Sequence, residues 1–350
     1  MTPDPKYLVA MSGGVDSSAA AAMLKEQGAQ VAGVTFSIAN KKFSKHDAII
    51  LNIDDAKRVA DYLEIPLHVI DVSKHFNKTV IDYFISEYSK GRTPNPCVIC
   101  NRVMKFKTLI QAADDLGFES VATGHYAEII RGKDNFCHLF VGKDSSKDQS
   151  YFLSNLKQKQ LQRIIFPLSK LTKPEVREYA LKTGLPVAEK TDSQEICFIP
   201  GDDYVKFFRD YYPEKLKPGR ILDTEGNVVG QHEGVQLYTI GQRKGIGAHA
   251  KRKYVVEINE SNGDVIIGDD SDLFSKKLEL ININWIIPPT KTEFKAEIKI
   301  RSTMNPASCK VACKGEKVSV EFDQPARAVT PGQAGVIYSG KEVLGCGIIA

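Results

Sequence analysis

One feature constrains this chain more than any other: from residue 7 to residue 130, short apolar runs alternate with segments of helical period. "YLVAM" (7–11) is a buried-strand run ending in Ser-Gly-Gly. "DSSAAAAMLKEQG" follows, rich in alanine and closed by Gly28, and reads as a helix. "AQVAGVTFSI" is a second strand, and "DDAKRVADYLEI" spaces Ala56, Val59, Ala60 and Leu63 as one helical face. "LHVIDV" is a third strand, and "TVIDYFISEYSKG" is a helix burying Val80, Ile81, Phe84, Ile85 and Tyr88. "RVMKFKTLIQAADDLG" reads as a helix and "SVATGHYAEII" as one strand. Such alternation argues for a parallel sheet with right-handed crossovers. Ligands of these sheets sit at the carboxyl ends of the strands. "SGGVDSS", "TPNPCVICN" and "TGHY" all fall at strand or helix ends.

The 350 residues exceed what one core usually spans. From about residue 215 the texture changes to short apolar runs broken by Glu-Gly, Asn-Gly and Gly-Asp turns, a hairpin pattern. The expected division is an α/β domain over 1–205, a central β-rich module over 206–272 and a C-terminal antiparallel β-barrel over 273–350. The net charge of +4 is compatible with an RNA partner without arguing for one. Seven cysteines, an odd count spread thinly, exclude a secreted disulfide framework. The N-terminus lacks a basic region followed by an apolar run, and no apolar stretch has membrane-spanning length. A reducing cytoplasm is expected, where free thiols persist.

"SGGVDSS" (12–18) lacks the Gly-Lys-Ser/Thr of a Walker A motif and the G-x-G-x-x-G of a dinucleotide fold. Two glycines let the backbone curl close to a ligand, and the following amides open a helix whose dipole favours anions. Ser12, Ser17 and Ser18 add hydroxyl donors, so the turn suits a phosphate without a lysine. Taken alone, it is equally compatible with a tight turn N-capped by Asp16 or Ser17. Its place after the first buried strand favours phosphate. Cys97 and Cys100 lie in a loop before a helix, near Arg92, Arg102 and Lys105. That position predicts a lowered thiol pKa and an accessible sulfur. Cys137, Cys309, Cys313 and Cys346 sit in strand-like patterns and read as small buried hydrophobes. A zinc site from 97/100 and 309/313 is disfavoured, because the second pair lies within an alternating strand.

"SGGVDSS" resembles the motif of the PP-loop ATP pyrophosphatases, an adenine nucleotide alpha hydrolase-like α/β fold. "AMSGGVDSS", "GRTPNPCVICN", "KFKTL", "ATGHYA", "KDQSYFL", "DSQEICFI", "GQRKG" and "VTPGQ" occur in this order from residue 10 to 334. Together they closely resemble the tRNA-specific 2-thiouridylase family across nearly the whole chain. The resemblance implies that ATP, with Mg2+, adenylates the 2-oxygen of the wobble uridine in lysine, glutamate and glutamine tRNAs. Sulfur then displaces AMP, on a base taken out of its stack.

Carried over by position, Ala10, Met11, Ser12, Gly13, Gly14, Val15, Asp16 and Ser17 bind the ATP phosphates, and Phe36 and Gly124 flank adenine and ribose. Cys197 is the persulfide carrier, loaded by a donor such as a cysteine desulfurase or sulfur-relay protein. Cys100 is the nucleophile that releases the sulfur, forming a transient disulfide with Cys197. Asn95, Pro96 and Cys97 match the segment that touches the target base. His125, Lys147, Asp148, Gln149, Arg301, Ser302 and Gln333 match tRNA-contacting positions. "GQRKG" and "KRK" (251–253) form a basic stretch suited to phosphate contact. Some family members carry an aspartate where this chain has Cys97, so no carboxylate serves as acid or base there. The three thiols Cys97, Cys100 and Cys197 allow an alternative in which an iron–sulfur cluster carries the sulfur. The rival readings are another PP-loop ligase acting on a small molecule, and a non-catalytic RNA-binding or cluster-carrying protein. The β-rich C-terminal third and cysteine pair disfavour the first, and the intact turn disfavours the second. A monomer binding one tRNA is expected.

Overall fold

The computed structural model describes residues 4–38, 53–191, 196–199, 201 and 203–350. Residues 192–195 of the "DSQEICFI" motif lie outside this range. The chain divides into two compact units: Met1–Thr79, Cys97–Gln194 and Lys341–Leu344 form the first, and Val80–Pro96, Glu195–Gly340 and Gly345–Ala350 the second.

The first unit is built on a parallel sheet. Its strands are β1 (Lys6–Ala10), β2 (Gln30–Ser37), β3 (Leu67–Asp71), β4 (Ser120–Ala122) and β7 (Ile164–Ile165), in the order β3-β2-β1-β4-β7. Val9 is flanked by Gly33 on one side and Ala122 on the other. The strand order reverses direction at β1, so the crevice at its carboxyl end lies at a topological switch point. Helix α1 (Val15–Glu26) buries Ala19, Ala20, Ala21 and Ala22, small side chains that bring it close to its neighbours. Helix α2 (Ile53–Tyr62) buries Ala56, Val59 and Ala60, the face anticipated from their spacing.

"SVATGHYAEII" is not one strand. β4 ends at Ala122, and the chain resumes as β5 (Ala127–Arg131), antiparallel to β6 (Cys137–Val141) in a different sheet. The cause is steric. Gly124 passes so near the start of α1 that a β-carbon on it would lie 2.6 Å from Asp16 C and Ser17 N. Two helices also open irregularly: a π-helical turn, Asn77–Ile81, precedes helix Asp82–Ser89, and another, Asn101–Lys105, precedes helix Phe106–Leu116.

β6 pairs with Glu342 and Val343 near the C-terminus, and His138 lies at this junction. Its Nδ1 is 2.5 Å from Glu342 Oε1 and its Nε2 3.1 Å from Asp134 Oδ2. Burial opposes the imidazolium, but the hydrogen bonds to Glu342 and Asp134 outweigh it and raise the pKa above the ordinary histidine value. The resulting stabilisation is complete below the unfolded-state value near ~6.5 and is lost as pH rises through the folded-state value. The denaturant midpoint is therefore expected to fall on this account between pH 6 and pH 9, and His138→Gln to flatten that part of the dependence. Identical pH dependence in parent and variant would contradict the assignment.

The second unit holds helix Asp82–Ser89 against an aromatic cluster. Phe84 lies 5.2 Å from Phe198 and 5.9 Å from Phe207, and Tyr88 stacks on Tyr204 at 5.1 Å. A four-stranded sheet follows, from β8 (Gly219–Asp223), β9 (Val228–His232), β10 (Tyr254–Ile258) and β11 (Val265–Gly268), ordered β10-β11-β8-β9. Its hairpins are antiparallel, but β11 joins β8 in parallel, a long-range pairing that local turn signals do not report. The remaining strands are β12 (Phe274–Trp285), β13 (Glu293–Lys299), β14 (Ala307–Lys314), β15 (Lys317–Arg327), β16 (Ala334–Ser339) and β17 (Glu342–Ile349). They run β12-β15-β14-β13-β16-β17, and β12 pairs again with β17, closing an antiparallel six-stranded barrel. Closure removes the exposed strand edges. Cys137, Cys309 and Cys346 are buried in strands, but Cys313 is only half-buried, so the fully buried expectation fails for it.

Candidate active site

The glycine-serine turn leaves β1 at the switch point. Ala10 is the last residue of β1, and Met11 donates its amide to Val34 O at 2.8 Å. Gly13 has φ +71°, a left-handed conformation that glycine adopts without a β-carbon clash. Gly14 is extended and caps α1, which opens with Val15. The first-turn amides of α1 have no acceptor within the helix and carry the positive end of its dipole. Ser17 Oγ donates to Gly14 O at 3.1 Å and Ser18 Oγ to the same oxygen at 2.8 Å. In this arrangement both hydroxyls brace the turn. Ser12 is exposed; its amide donates to Ser17 Oγ at 3.2 Å.

Charge arrives from elsewhere in the chain. Asp16 Oδ1 accepts from Tyr126 Oη at 2.7 Å and from Lys173 Nζ at 2.6 Å. Lys173 is buried, and its own amide donates to Asp144 Oδ2 at 2.8 Å. Lys190 Nζ donates to Gly13 O at 3.1 Å and pairs with Asp55. Lys190, and after it Arg58, hold the Asp55 carboxyl below the usual range. The turn has no lysine of its own, but two lysines serve it. Sequence reading missed both because they lie 157 and 177 residues from their partners.

Phe36 is buried in β2, opposite Ile70 of β3. Gly124 lies against the backbone of Asp16 and Ser17, which gives it a steric reason to be glycine. His125 Nδ1 lies 2.7 Å from Thr123 Oγ1, and its ring faces Phe106 at 5.8 Å and Phe166 at 5.9 Å. Burial and then Lys105 press its pKa well below the ordinary value, so it is a neutral imidazole. Lys147 donates its amide to Asp144 O, and Asp148 accepts from the amide and hydroxyl of Ser150. Gln149 exchanges hydrogen bonds with the backbone of Tyr126, through its Oε1 at 3.0 Å and its amide at 2.9 Å.

The cysteine pair is placed differently from its expected loop. Pro96–Cys100 is a short helix that runs into the π-helical turn. Cys97 is half-buried, and Cys100 is buried. Burial pushes the Cys100 thiol up to about 11, against a lowering pull from Lys105. The expectation of an accessible, low-pKa thiol is overturned: the same helical packing that fixes the sulfur removes it from water. The following residues are anchored, with Asn101 Nδ2 donating to Phe152 O and Arg102 to Asn155 Oδ1, both at 2.9 Å. Gln160 Nε2 donates to Arg102 O. Cys197 is exposed in a turn of the second unit.

Within the second unit, two of the sequence motifs meet. Thr93 donates its amide to Pro331 O at 2.8 Å and its hydroxyl to Thr239 Oγ1 at 3.1 Å. Gln333 Nε2 donates to Thr93 O at 2.9 Å. Gly332 approaches so closely that a β-carbon would sit 3.0 Å from Thr93 N. "VTPGQ" and Thr239 therefore hold the start of "TPNPC", whose Asn95 is half-buried and Pro96 buried. Arg301 donates to the carbonyls of Arg327 and Ala328, and Ser302 follows it, half-buried. Arg243, Lys244, Lys251 and Arg252 are exposed, a basic surface on the central module. Among the described residues no group of three or more histidine, cysteine, aspartate or glutamate side chains stands arranged to hold a metal ion. Nor, among the described residues, is any helix long and apolar enough to cross a membrane.

Comparison with known proteins places this geometry. Family models match residues 5–201 (tRNA methyl transferase HUP domain), 205–269 (tRNA methyl transferase PRC-barrel domain) and 275–349 (aminomethyltransferase beta-barrel domain). The tRNA-specific 2-thiouridylase MnmA of Geobacter metallireducens is 46% identical over 354 residues, covering 98% of this chain and 96% of that one. Its namesake in Carboxydothermus hydrogenoformans is 46% identical, covering 98% and 97%. Likeness at this level over nearly the full length of both chains, with the PP-loop turn at the switch point, shows that the chain belongs to the tRNA-specific 2-thiouridylase family.

Proposed function

We propose that this enzyme makes 2-thiouridine at the wobble position of lysine, glutamate and glutamine tRNAs, in two chemical stages. In the first, ATP lies with its phosphates on the turn Ala10–Ser17, and the uridine 2-oxygen attacks the α-phosphorus. Pyrophosphate leaves, and the oxygen becomes part of an AMP leaving group. A bare carbonyl oxygen leaves poorly, so this step makes substitution at C2 feasible. Mg2+ bound with the ATP would neutralise phosphate charge, while Asp16 Oδ1 accepts from Lys173 and Tyr126.

In the second stage a donor of persulfide sulfur, a cysteine desulfurase or relay protein, leaves Cys197 as a persulfide. The Cys100 thiolate attacks Cys197 Sγ, forming a Cys100–Cys197 disulfide and expelling the terminal sulfur as hydrosulfide. Hydrosulfide adds at C2 and AMP departs. Two electrons from an external thiol reductant restore the cysteines. Asn95, Pro96 and Cys97 would face the extruded base, and the exposed arginines and lysines of the central module would meet tRNA phosphates.

The observation that carries this reading is the turn at the end of β1, which presents helix-opening amides and two lysines where a polyphosphate would sit. The test is incubation with unmodified tRNA, ATP and a persulfide donor, followed by nucleoside mass analysis. 2-Thiouridine confined to the wobble position is expected. Its absence, or an active preparation whose sulfur transfer tracks bound iron, would overturn the reading.

A further inference from the structure

The peptide joining Gly13 to Gly14 sits at the mouth of the turn. It is planar and trans, so its carbonyl and its N–H point in opposite directions. Between two glycines such a peptide has little steric preference for one orientation. In one, the Gly14 N–H faces an anion held on the α1 N-terminus. In the other, the Gly13 carbonyl faces it and repels it. The side chain that selects between them is Lys190, whose Nζ donates to Gly13 O at 3.1 Å.

Lys190 is itself held on both sides. Arg177 donates to its main-chain carbonyl at 3.1 Å, and its ammonium pairs with Asp55 in the first turn of α2. Asp55 is shared with Arg58. The ammonium is only partly exposed, with 28% of the side chain accessible. This places a charge-assisted donor on one carbonyl of the turn from a segment 177 residues away.

We propose that Lys190 is a positioning residue of the nucleotide site, which holds the Gly13 carbonyl so that the Gly14 N–H faces the ATP polyphosphate. The proposal rests on the ATP reading above. Lys190 is not required to touch the nucleotide. A plain tie between α2 and the segment carrying Lys190 would affect stability alone, and would not distinguish ligands with phosphates from ligands without them.

The experiment compares calorimetric affinities of the full chain for ATP and for adenosine, as a ratio within each variant, so that general loosening cancels. Lys190→Met is expected to lower the ATP-to-adenosine ratio roughly tenfold, the scale of one charge-assisted hydrogen bond. Lys190→Arg, which keeps a cationic donor, is expected to stay within about threefold of the parent on the same scale. An unchanged ratio in Lys190→Met, or an equal fall in both variants, would overturn the proposal. If Lys190→Met does not fold, Asp55→Asn releases the lysine from its second anchor. A lowered ratio there supports the proposal and an unchanged one overturns it. A parent that binds no ATP would overturn the nucleotide reading, and this proposal with it.

Discussion

Cys100→Ser is expected to lower the rate of tRNA thiolation by about a thousandfold or more, because a hydroxyl cannot replace a thiolate in attack on sulfur. ATP binding should be unchanged, since Cys100 makes no contact with the glycine-serine turn among the interactions described above. The parent carries a further signature. Its thiol is pushed up to about 11 by burial, so the thiolate is a minor species at neutral pH. In single-turnover sulfur transfer the rate should therefore climb with pH from 7 to 9, by about tenfold per unit where Cys100 ionisation limits it. Lys105→Met removes the Lys105 cationic pull on that thiol and should shift the profile to still higher pH. A pH-independent rate in the parent would show that the thiol is uncovered and ionised before it reacts, and a Cys100→Ser variant as fast as the parent would remove Cys100 from the chemistry.

Gly124→Ala should damage the first stage, as Cys100→Ser damages the second. The nearest atoms to a new β-carbon are Asp16 C and Ser17 N at 2.6 Å and Asp16 O at 2.8 Å. All are backbone, so no side chain can swing aside. Either the segment after β4 or the start of α1 must move, at a cost of about 1–3 kcal/mol. Movement of α1 displaces the amides that would hold phosphate. The expected result is a fall in the thermal midpoint together with an ATP affinity weakened about tenfold to a hundredfold, the same energy expressed as binding. Gly124→Ala with parent-like ATP affinity would show that the close approach seen at Gly124 is not needed for nucleotide binding.

Much of the first unit was legible because its signals are local. The Ala-rich segment, the apolar runs and the Gly-Gly turn each fix their own element, and alternation supplies the sheet. The helical face of Ala56, Val59 and Ala60 needed no tertiary information. The break inside "SVATGHYAEII" was illegible because it answers to the backbone of Asp16 and Ser17, more than a hundred residues earlier, as the Tyr126–Asp16 separation of 110 illustrates. The parallel pairing of β11 with β8 escaped for the same reason.

The candidate site divides along the same line. The turn itself could be read, but its lysines could not, because Lys173 and Lys190 look like any helix-face or loop lysine until the fold brings them to Asp16 and Gly13. Cys100 was read as an exposed loop thiol from its position before a helix. The prolines and Asn95 did not reveal that Pro96–Cys100 is itself helical and packed. Gln333 was singled out by resemblance as an RNA contact. Its side chain also donates to Thr93 O, a long-range contact that no local sequence pattern reports.

The most direct measurement counts products in one reaction mixture of enzyme, unmodified tRNA, ATP and persulfide donor. Release of AMP and pyrophosphate in a one-to-one ratio with wobble 2-thiouridine is the result expected. Release of ADP and phosphate, or 2-thiouridine formed without ATP cleavage, would contradict adenylation at the turn after β1.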